Sequence, residues 1–198
     1  QSHKTFDQLF FWQHSLFVAY LAKEMAKDLV YSQPETLYMA GLLHDIGKLV
    51  FENHGKASYS DFLSSHCKSD RPTEENERLF FGLSHVDIGY QFCRQWHLPA
   101  VITAVVAAHH GNKAYEAHFD VFGLEIAIVN LANYITWLHG IGSTSLDTGH
   151  HLSASVSKRL DFSKLDFESL LQRVDNLMLS TGQFYGIDFP NIQKLRAT

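Results

Sequence analysis

The feature that most constrains this chain is a set of six potential metal ligands at separated points along helical sequence patterns. In chain order they are His14, the adjacent pair His44-Asp45, His85, and the adjacent pair His109-His110. Imidazoles and carboxylates are common protein ligands of divalent metals. Apolar residues spaced three and four apart turn these positions inward in a helical fold. The pattern therefore predicts a helical bundle that gathers the six side chains in its core.

Helical spacing continues along the chain, without the alternation of a β-strand, an internal repeat or a low-complexity tract. The predicted helices cover residues 6–29, about 34–49, 59–67, 72–96, 99–110, 122–140, 152–160 and 166–180. Ser32 and Pro34 provide the start signal of the second helix, which carries His44. His85 is predicted to lie in the middle of the fourth helix. The polar residues 68–71 are expected to form a mobile connection.

The fifth predicted helix is apolar on every side, which places it in the centre of the domain. It begins at Pro99 and is stopped by Gly111, directly after His109-His110. Burying two imidazoles without partners is costly, so a compensating interaction is expected there. The following helix carries Asn130 and Asn133 on one inward face.

Composition and charge exclude several classes of function. The 198 residues are 45% hydrophobic and 13% aromatic, which suits a single domain over residues 1–198. The net charge of −5 and the lack of a long basic run argue against direct nucleic-acid binding. The longest apolar run, residues 98–108, is far shorter than the about 20 residues of a membrane span, so no membrane association is expected. Cys67 and Cys93 lack paired spacing and indicate reduced thiols in the cytoplasm.

The string Ala40-Gly41-Leu42-Leu43-His44-Asp45-Ile46-Gly47-Lys48, with His14 upstream of it, resembles the HD phosphohydrolase superfamily. Further segments narrow the match: Phe11 to Ser15, Glu77 before His85, His85 to Gly89, and Trp96 to Pro99 followed by His109-His110. This combination is similar to the HDOD family, a bacterial signalling branch of that superfamily. The resemblance covers about residues 10–140 and implies an all-α, HD-like multi-helix bundle. The C-terminal helices predicted within residues 152–180 contribute little to it.

The resemblance also implies a divalent-metal site, with Fe, Mn, Zn or Mg as the candidate ions. Carried over by position, His14, His44 and Asp45 are the ligands of a first ion. His85, His109 and His110 are ligands of a second ion, as in the related HD-GYP phosphodiesterases. If the chain is an enzyme, Asp45 and Lys48 are its catalytic residues, with Lys48 neutralising a substrate phosphate. The alternative for Lys48 is an ordinary cation at the C-terminal end of a helix.

Two departures from the superfamily pattern argue against catalysis. The last ligand of the superfamily is an Asp, and this chain has Asn133 at that position, an uncharged amide that binds cations more weakly. Losing an outer partner of a metal ligand costs roughly 10- to 100-fold in affinity or activity, so neutralising a ligand costs at least as much. The segment after His110, Gly111 to Tyr115, lacks the Gly-Tyr-Pro signature of cyclic di-GMP phosphodiesterases. Hydrolysis of cyclic di-GMP is therefore disfavoured.

Three functional hypotheses follow from these residues. The leading one is a signal-transduction output domain of HDOD type, which acts by binding or conformational relay and retains part of a metal site. The second is an active metal-dependent phosphohydrolase or phosphodiesterase, and the third is a scaffold whose histidines are only hydrogen-bonded. The start at Gln1 rather than Met suggests a fragment of a longer signalling protein. The expected partner is an upstream receiver-type domain, as in a response regulator.

Overall fold

The computed structural model describes residues 6–65, 72–111, 113–141, 152 and 158–186, and this part of the chain contains helices and no strand. The α-helices are α1 (Gln8–Asp28), α2 (Pro34–Leu43), α3 (Ile46–His54), α4 (Tyr59–Ser65), α5 (Thr73–Phe81), α6 (His85–Gln95), α7 (Ala100–Ala108), α8 (Ala117–Leu138) and α9 (Phe167–Tyr185). Short 3₁₀ helices cover Lys113–Tyr115 and Phe162–Lys164. The prediction of an all-α, HD-like bundle is confirmed.

Helices α1 and α7 each pack against three other α-helices of the bundle. Helix α1 begins after Asp7, whose side chain accepts hydrogen bonds from the backbone N–H groups of Leu9 and Phe10. It packs against α2, α8 and α9, while α7 packs against α2, α6 and α8. As predicted, α7 begins after Pro99, and its residues from Ile102 to Ala108 are all buried. The α7 segment ends at Gly111, whose φ of 77° is in the left-handed region that favours glycine.

The helix predicted over residues 34–49 is two helices, which is a correction to the sequence analysis. Helix α2 ends at Leu43, His44 and Asp45 form a turn, and α3 starts at Ile46. Apolar spacing continues across this turn, so periodicity alone does not reveal it. The two halves have different neighbours: α2 lies on α1 and α7, whereas α3 lies on α6. The turn directs the buried side chains of His44 and Asp45 into the interior, between the helices that contact α2 and those that contact α3.

The helix predicted over residues 72–96 is also two helices. Helix α5 ends at Phe81 and is followed by Gly82, whose φ of 83° reverses the chain. Helix α6 starts at His85 after Ser84, whose backbone N–H donates to Asp87 Oδ2 (2.9 Å). His85 is therefore the first residue of a helix and does not lie in the middle of one.

The C-terminal predictions are only partly correct. Helix α9 extends to Tyr185, beyond the predicted end at residue 180, and residues 158–160 are not helical. The predicted connection at residues 68–71 and residues 153–157 of the predicted helix 152–160 lie outside the described part of the chain. Helix α8 begins earlier than predicted and has non-helical φ and ψ angles at Phe122. By length and composition α8 could cross a membrane, but 61% of its apolar window is buried inside the protein, as in the core helix of a globular domain.

Candidate metal centre

The structure brings the six predicted ligand residues together where α1, the turn between α2 and α3, the start of α6 and the end of α7 meet. His14 lies on α1, the His44-Asp45 pair forms the turn, His85 begins α6, and His109-His110 follow α7. Neighbouring imidazole centroids are 4.1 to 5.7 Å apart, from His14–His44 (5.3 Å) through His44–His109 (4.9 Å) and His85–His109 (5.7 Å) to His109–His110 (4.1 Å). Residues that are far apart in the sequence thus form one cluster.

Asp45 is the hub of this cluster, and its two oxygens have different neighbours. Oδ1 lies 3.3 Å from His85 Nε2 and 3.6 Å from His109 Nε2. Oδ2 lies 3.4 Å from His44 Nε2 and 2.6 Å from the ammonium nitrogen of Lys48. We call these the Oδ1 side and the Oδ2 side. The Oδ1 side offers two imidazole nitrogens, whereas the Oδ2 side offers one and also holds a lysine.

Lys48 belongs to the cluster, and its sequence-based alternative as a cation at a helix C-terminus is wrong. Because the chain breaks at His44-Asp45, Lys48 falls in the first turn of α3 instead of near the end of a longer helix. Its ammonium group bonds to Asp45 and its side chain is only 12% exposed. A cation is therefore built into the Oδ2 side.

Backbone carbonyls orient three of the histidines. The Nδ1–H groups of His14, His44 and His109 donate to the carbonyl oxygens of Ile141 (3.2 Å), Gly41 (2.7 Å) and Val106 (3.1 Å), respectively. A carbonyl oxygen can only accept, so the proton of each neutral ring lies on Nδ1 and the lone pair lies on Nε2. This is the tautomer that presents Nε2 to a metal.

A buried carboxylate orients the fourth histidine. Glu77 Oε2 accepts hydrogen bonds from His85 Nδ1 (2.6 Å) and from the His85 backbone N–H (2.8 Å). Tyr59 donates its hydroxyl to the other oxygen, Oε1 (2.6 Å). His85 Nε2 consequently faces Asp45 and His110, whose Nε2 is 3.1 Å away. In the sequence, Glu77 stands out only as part of a family pattern. The structure shows that it orients His85, as outer carboxylates orient histidines in many metal sites.

Burial and charge set the protonation states of the cluster. Burial lowers the pKa of His44 and of His109, so both rings stay neutral. Burial alone would raise the pKa of Asp45, but Lys48 and His44 outweigh it and hold that pKa well below its usual range. Burial likewise opposes charge on His85, yet Glu77 raises the His85 pKa above its ordinary value. A metal at Nε2 of His85 would displace the proton held there.

Two asparagines on α8, Asn130 and Asn133, are buried. Asn130 donates its amide N–H to the carbonyl oxygen of His109 and thereby ties the end of α7 to α8. Asn133 lies one turn further along the same helix, and its side chain is 2% exposed. That Asn133 takes the place of the superfamily's last ligand stays a prediction, and an amide at that place would supply no second negative charge.

The donor atoms fit a divalent ion. Among the predicted ligand residues, four buried atoms have no hydrogen-bond partner in the described part of the chain: His44 Nε2, Asp45 Oδ1, His109 Nε2 and Asn133 Oδ1. Buried polar atoms are rarely left unpaired in folded proteins, and a cation satisfies nitrogen and oxygen lone pairs alike. The ligand atoms of Asp45, His85, His109 and His110 lie within 4.8 Å of one another, and so do those of His14, His44 and Asp45. That these residues bind a metal stays a prediction.

Comparison with known proteins agrees with this architecture. The family model of the HDOD domain matches residues 1–112. The crystal structure of an HDOD domain protein of unknown function from Geobacter sulfurreducens superposes with a TM-score of 0.64 and 25% identity, covering 88% of this chain and 60% of that one. The structure of a presumed phosphohydrolase from Shewanella amazonensis gives a TM-score of 0.53 at 18% identity, covering 83% and 63%, and this likeness shows the fold alone.

The curated relatives share one segment with this chain. Ribonuclease Y from Clostridium novyi is 31% identical over 124 residues, which is 63% of this chain and 18% of the relative. Ribonuclease Y from Lactobacillus acidophilus is 33% identical over 99 residues, covering 50% and 13%. The chain therefore spans less than a fifth of the length of these relatives.

Proposed function

The chain belongs to the HDOD family of phosphohydrolase-like helical domains, and on that basis we propose that it is a signal-transduction output domain with a partly retained divalent-metal site. The observation that carries this proposal is the charge of the centre. Asp45 is the one carboxylate among the described residues whose oxygens face the imidazole Nε2 atoms, and Lys48 already bonds to it. Asn133 adds no charge.

This charge balance disfavours hydrolysis. A metal-dependent hydrolase uses its ion to lower the pKa of a bound water to about 7, which requires a firmly held ion and an open ligand position. This centre has one anionic ligand, Asp45, and one oxygen of that carboxylate already bonds to Lys48. Such a centre holds a metal ion less firmly than one with a second carboxylate at position 133. The domain would therefore act by binding and conformational relay rather than by turnover.

The surrounding context is part of the same proposal. We propose one domain over residues 1–198 that works in the cytoplasm next to an upstream receiver-type domain, without direct contact to nucleic acid or membrane. The main apolar core supports a single unit because it combines residues of α1 and α7, such as Leu21 and Val105, with Leu170 and Met178 of α9. The net charge of −5 supports the absence of a nucleic-acid surface.

The second candidate function is an active metal-dependent phosphohydrolase. It is favoured by the unpaired buried atoms Asp45 Oδ1 and His109 Nε2, which are placed as ligands would be. Similarity to Ribonuclease Y makes RNA phosphodiesters one substrate class to test, and family relatedness makes cyclic di-GMP another. Under this candidate Asp45 and Lys48 are catalytic.

A turnover assay separates the two functions. The purified protein is incubated with Mn²⁺, Fe²⁺ or Zn²⁺ and with bis-p-nitrophenyl phosphate, cyclic di-GMP or a single-stranded RNA oligonucleotide, beside an Asp45→Ala control. We expect product formation equal to that of the control, together with a rise in Tm of the parent on adding metal, because an ion that binds only the folded state stabilises it. Turnover that Asp45→Ala abolishes would establish the hydrolase and refute the proposal.

A further inference from the structure

We infer that this centre holds one divalent ion rather than two, on the Oδ1 side of Asp45, and that Lys48 takes the place of a second ion on the Oδ2 side. The inference rests on the retained metal site proposed above and specifies its ligands. They are Asp45 Oδ1 and the Nε2 atoms of His85, His109 and His110. His14 and His44 would then be neighbours of the site and not ligands of the ion.

Distances on the Oδ1 side match a four-ligand shell. Zinc–nitrogen bonds of about 2.0–2.1 Å in a tetrahedron place neighbouring ligand atoms about 3.3–3.4 Å apart. The observed separations are 3.3 Å from His85 Nε2 to Asp45 Oδ1, 3.6 Å from His109 Nε2 to Asp45 Oδ1, and 3.1 Å from His85 Nε2 to His110 Nε2. Three of the six separations are thus close to the tetrahedral value, and all four ligand atoms lie within 4.8 Å of one another.

The Oδ1 side is also held rigidly in place. Glu77 fixes the ring of His85, and the Val106 carbonyl fixes that of His109. Asn130 additionally holds the backbone of His109. Ligands that are positioned by packing and hydrogen bonds lose little freedom when an ion binds, which favours binding.

The Oδ2 side lacks the conditions for a second ion. The Lys48 ammonium nitrogen lies 2.6 Å from Oδ2, closer than the 3.4 Å of His44 Nε2. An ion bound to Oδ2 would face this positive charge at short range in a poorly solvated setting, where like charges repel strongly. Asn133 offers no negative charge to offset that repulsion. Lys48 therefore neutralises Oδ2, and the remaining lone pairs of Oδ1 are directed to one ion.

A single ion with this shell has a chemical consequence. Three imidazoles and one carboxylate complete a four-coordinate shell, and sites filled by protein ligands are structural, whereas catalytic sites keep a position for water. Imidazole-rich shells suit zinc and iron better than magnesium. The ion would thus hold the start of α6 and the end of α7 together through His85 and the His109-His110 pair.

Zinc stoichiometry tests this inference. The protein is stripped with EDTA, dialysed and titrated with ZnCl₂ by calorimetry, and the bound metal is counted by mass spectrometry after desalting. His110→Ala and His14→Ala form a matched pair, because both are half-buried imidazoles at opposite ends of the cluster. We expect the parent and His14→Ala each to bind one equivalent of zinc. His110→Ala should bind zinc at least 10-fold more weakly than the parent.

A gain of binding provides the complementary test. Lys48→Met together with Asn133→Asp removes the built-in cation and adds a carboxylate, so this double variant should bind a second equivalent. Two equivalents in the parent, or loss of zinc in His14→Ala but not in His110→Ala, would overturn the inference. Parent protein that binds no zinc would overturn it as well, while leaving the absence of turnover intact. The parent count decides the number of ions even if a variant fails to fold.

Discussion

The two sides of Asp45 present similar donors but different charge environments. On the Oδ1 side, imidazoles that are oriented by Glu77 and by a backbone carbonyl face an oxygen without a hydrogen-bond partner. On the Oδ2 side, the imidazole of His44 is oriented just as firmly, yet Lys48 occupies the oxygen. Counting histidines would assign two equal ion sites. The difference shows that the number of metal ions a site can bind depends on the charged side chains around its ligands as well as on the number of histidines.

The two sides also depend on different helix contacts. A Cβ atom at Gly47 would lie 1.9 Å from the carbonyl oxygen of His85, so glycine there permits the close approach of α3 to α6. A Cβ atom at Gly41 would lie 2.9 Å from Ala19 Cα, so glycine there permits the close approach of α2 to α1. The Oδ1 side is built on the first contact and the His14–His44 region on the second. Substitutions can therefore perturb one side at a time.

The largest effect is expected for Asp45→Asn, which changes both sides at once. Replacing the shared carboxylate with an amide removes the one anionic ligand and leaves Lys48 without its counter-charge. Zinc affinity should fall by about 100-fold or more, since losing an outer partner alone costs roughly 10- to 100-fold. Calorimetric titration measures the loss. Zinc binding of Asp45→Asn equal to that of the parent would show that the ion does not contact Asp45.

Glu77→Gln should weaken zinc binding by about 10- to 100-fold, because the amide no longer accepts a charge-assisted hydrogen bond from His85 Nδ1. The change sharpens the comparison, since Glu77 bonds to His85, which lies on the Oδ1 side. Glu75→Gln on the same helix is the matched control, as Glu75 is exposed and should leave affinity unchanged. Equal affinities of Glu77→Gln and Glu75→Gln in the same titration would contradict this role.

Gly47→Ala should destabilise the fold by about 1–3 kcal/mol and also lower zinc affinity, because the new methyl group pushes α3 away from His85. Gly41→Ala should destabilise the fold to a similar extent through α1, with zinc affinity close to that of the parent. Urea unfolding gives the stabilities, and titration of the folded variants gives the affinities. A loss of zinc affinity of the same size in both variants would break the proposed separation of the two sides.

Asn133→Asp has the smallest expected effect. The carboxylate restores a negative charge near the His44-Asp45 pair and should raise affinity for divalent metal by about 10-fold, about 1.4 kcal/mol, with Lys48 still limiting a second ion. Asn130→Asp is the comparison variant, because Asn130 serves as a hydrogen-bond donor to His109 and its loss should not improve binding. Identical titrations of Asn133→Asp and the parent would place Asn133 away from the ligands.

Much of the fold and the membership of the cluster could be predicted from sequence. Apolar spacing was enough to identify a helical bundle and to turn His14, His44, His85 and the His109-His110 pair inward. Periodicity could not reveal the turns between α2 and α3 and between α5 and α6, because the apolar positions continue in phase across both. Gly82 and the Ser84-x-x-Asp87 cap were readable signals of the second turn.

The electrostatic asymmetry of the centre could not be predicted in the same way. It depends on the turn at His44-Asp45, which moves Lys48 from the end of a presumed long helix to the first turn of α3. It depends equally on Glu77, which bonds to His85, and on Tyr59 of α4, which bonds to Glu77 of α5. These hydrogen bonds join residues that no local sequence pattern links, so they can be identified only in the folded structure.

Anomalous diffraction from crystals soaked with zinc, recorded at the zinc absorption edge, tests the central claim most directly. The account predicts one anomalous peak, in contact with Asp45 and with His85, His109 and His110, and no peak between His14 and His44. A peak coordinated by His14 and His44, alone or beside the first, would contradict it.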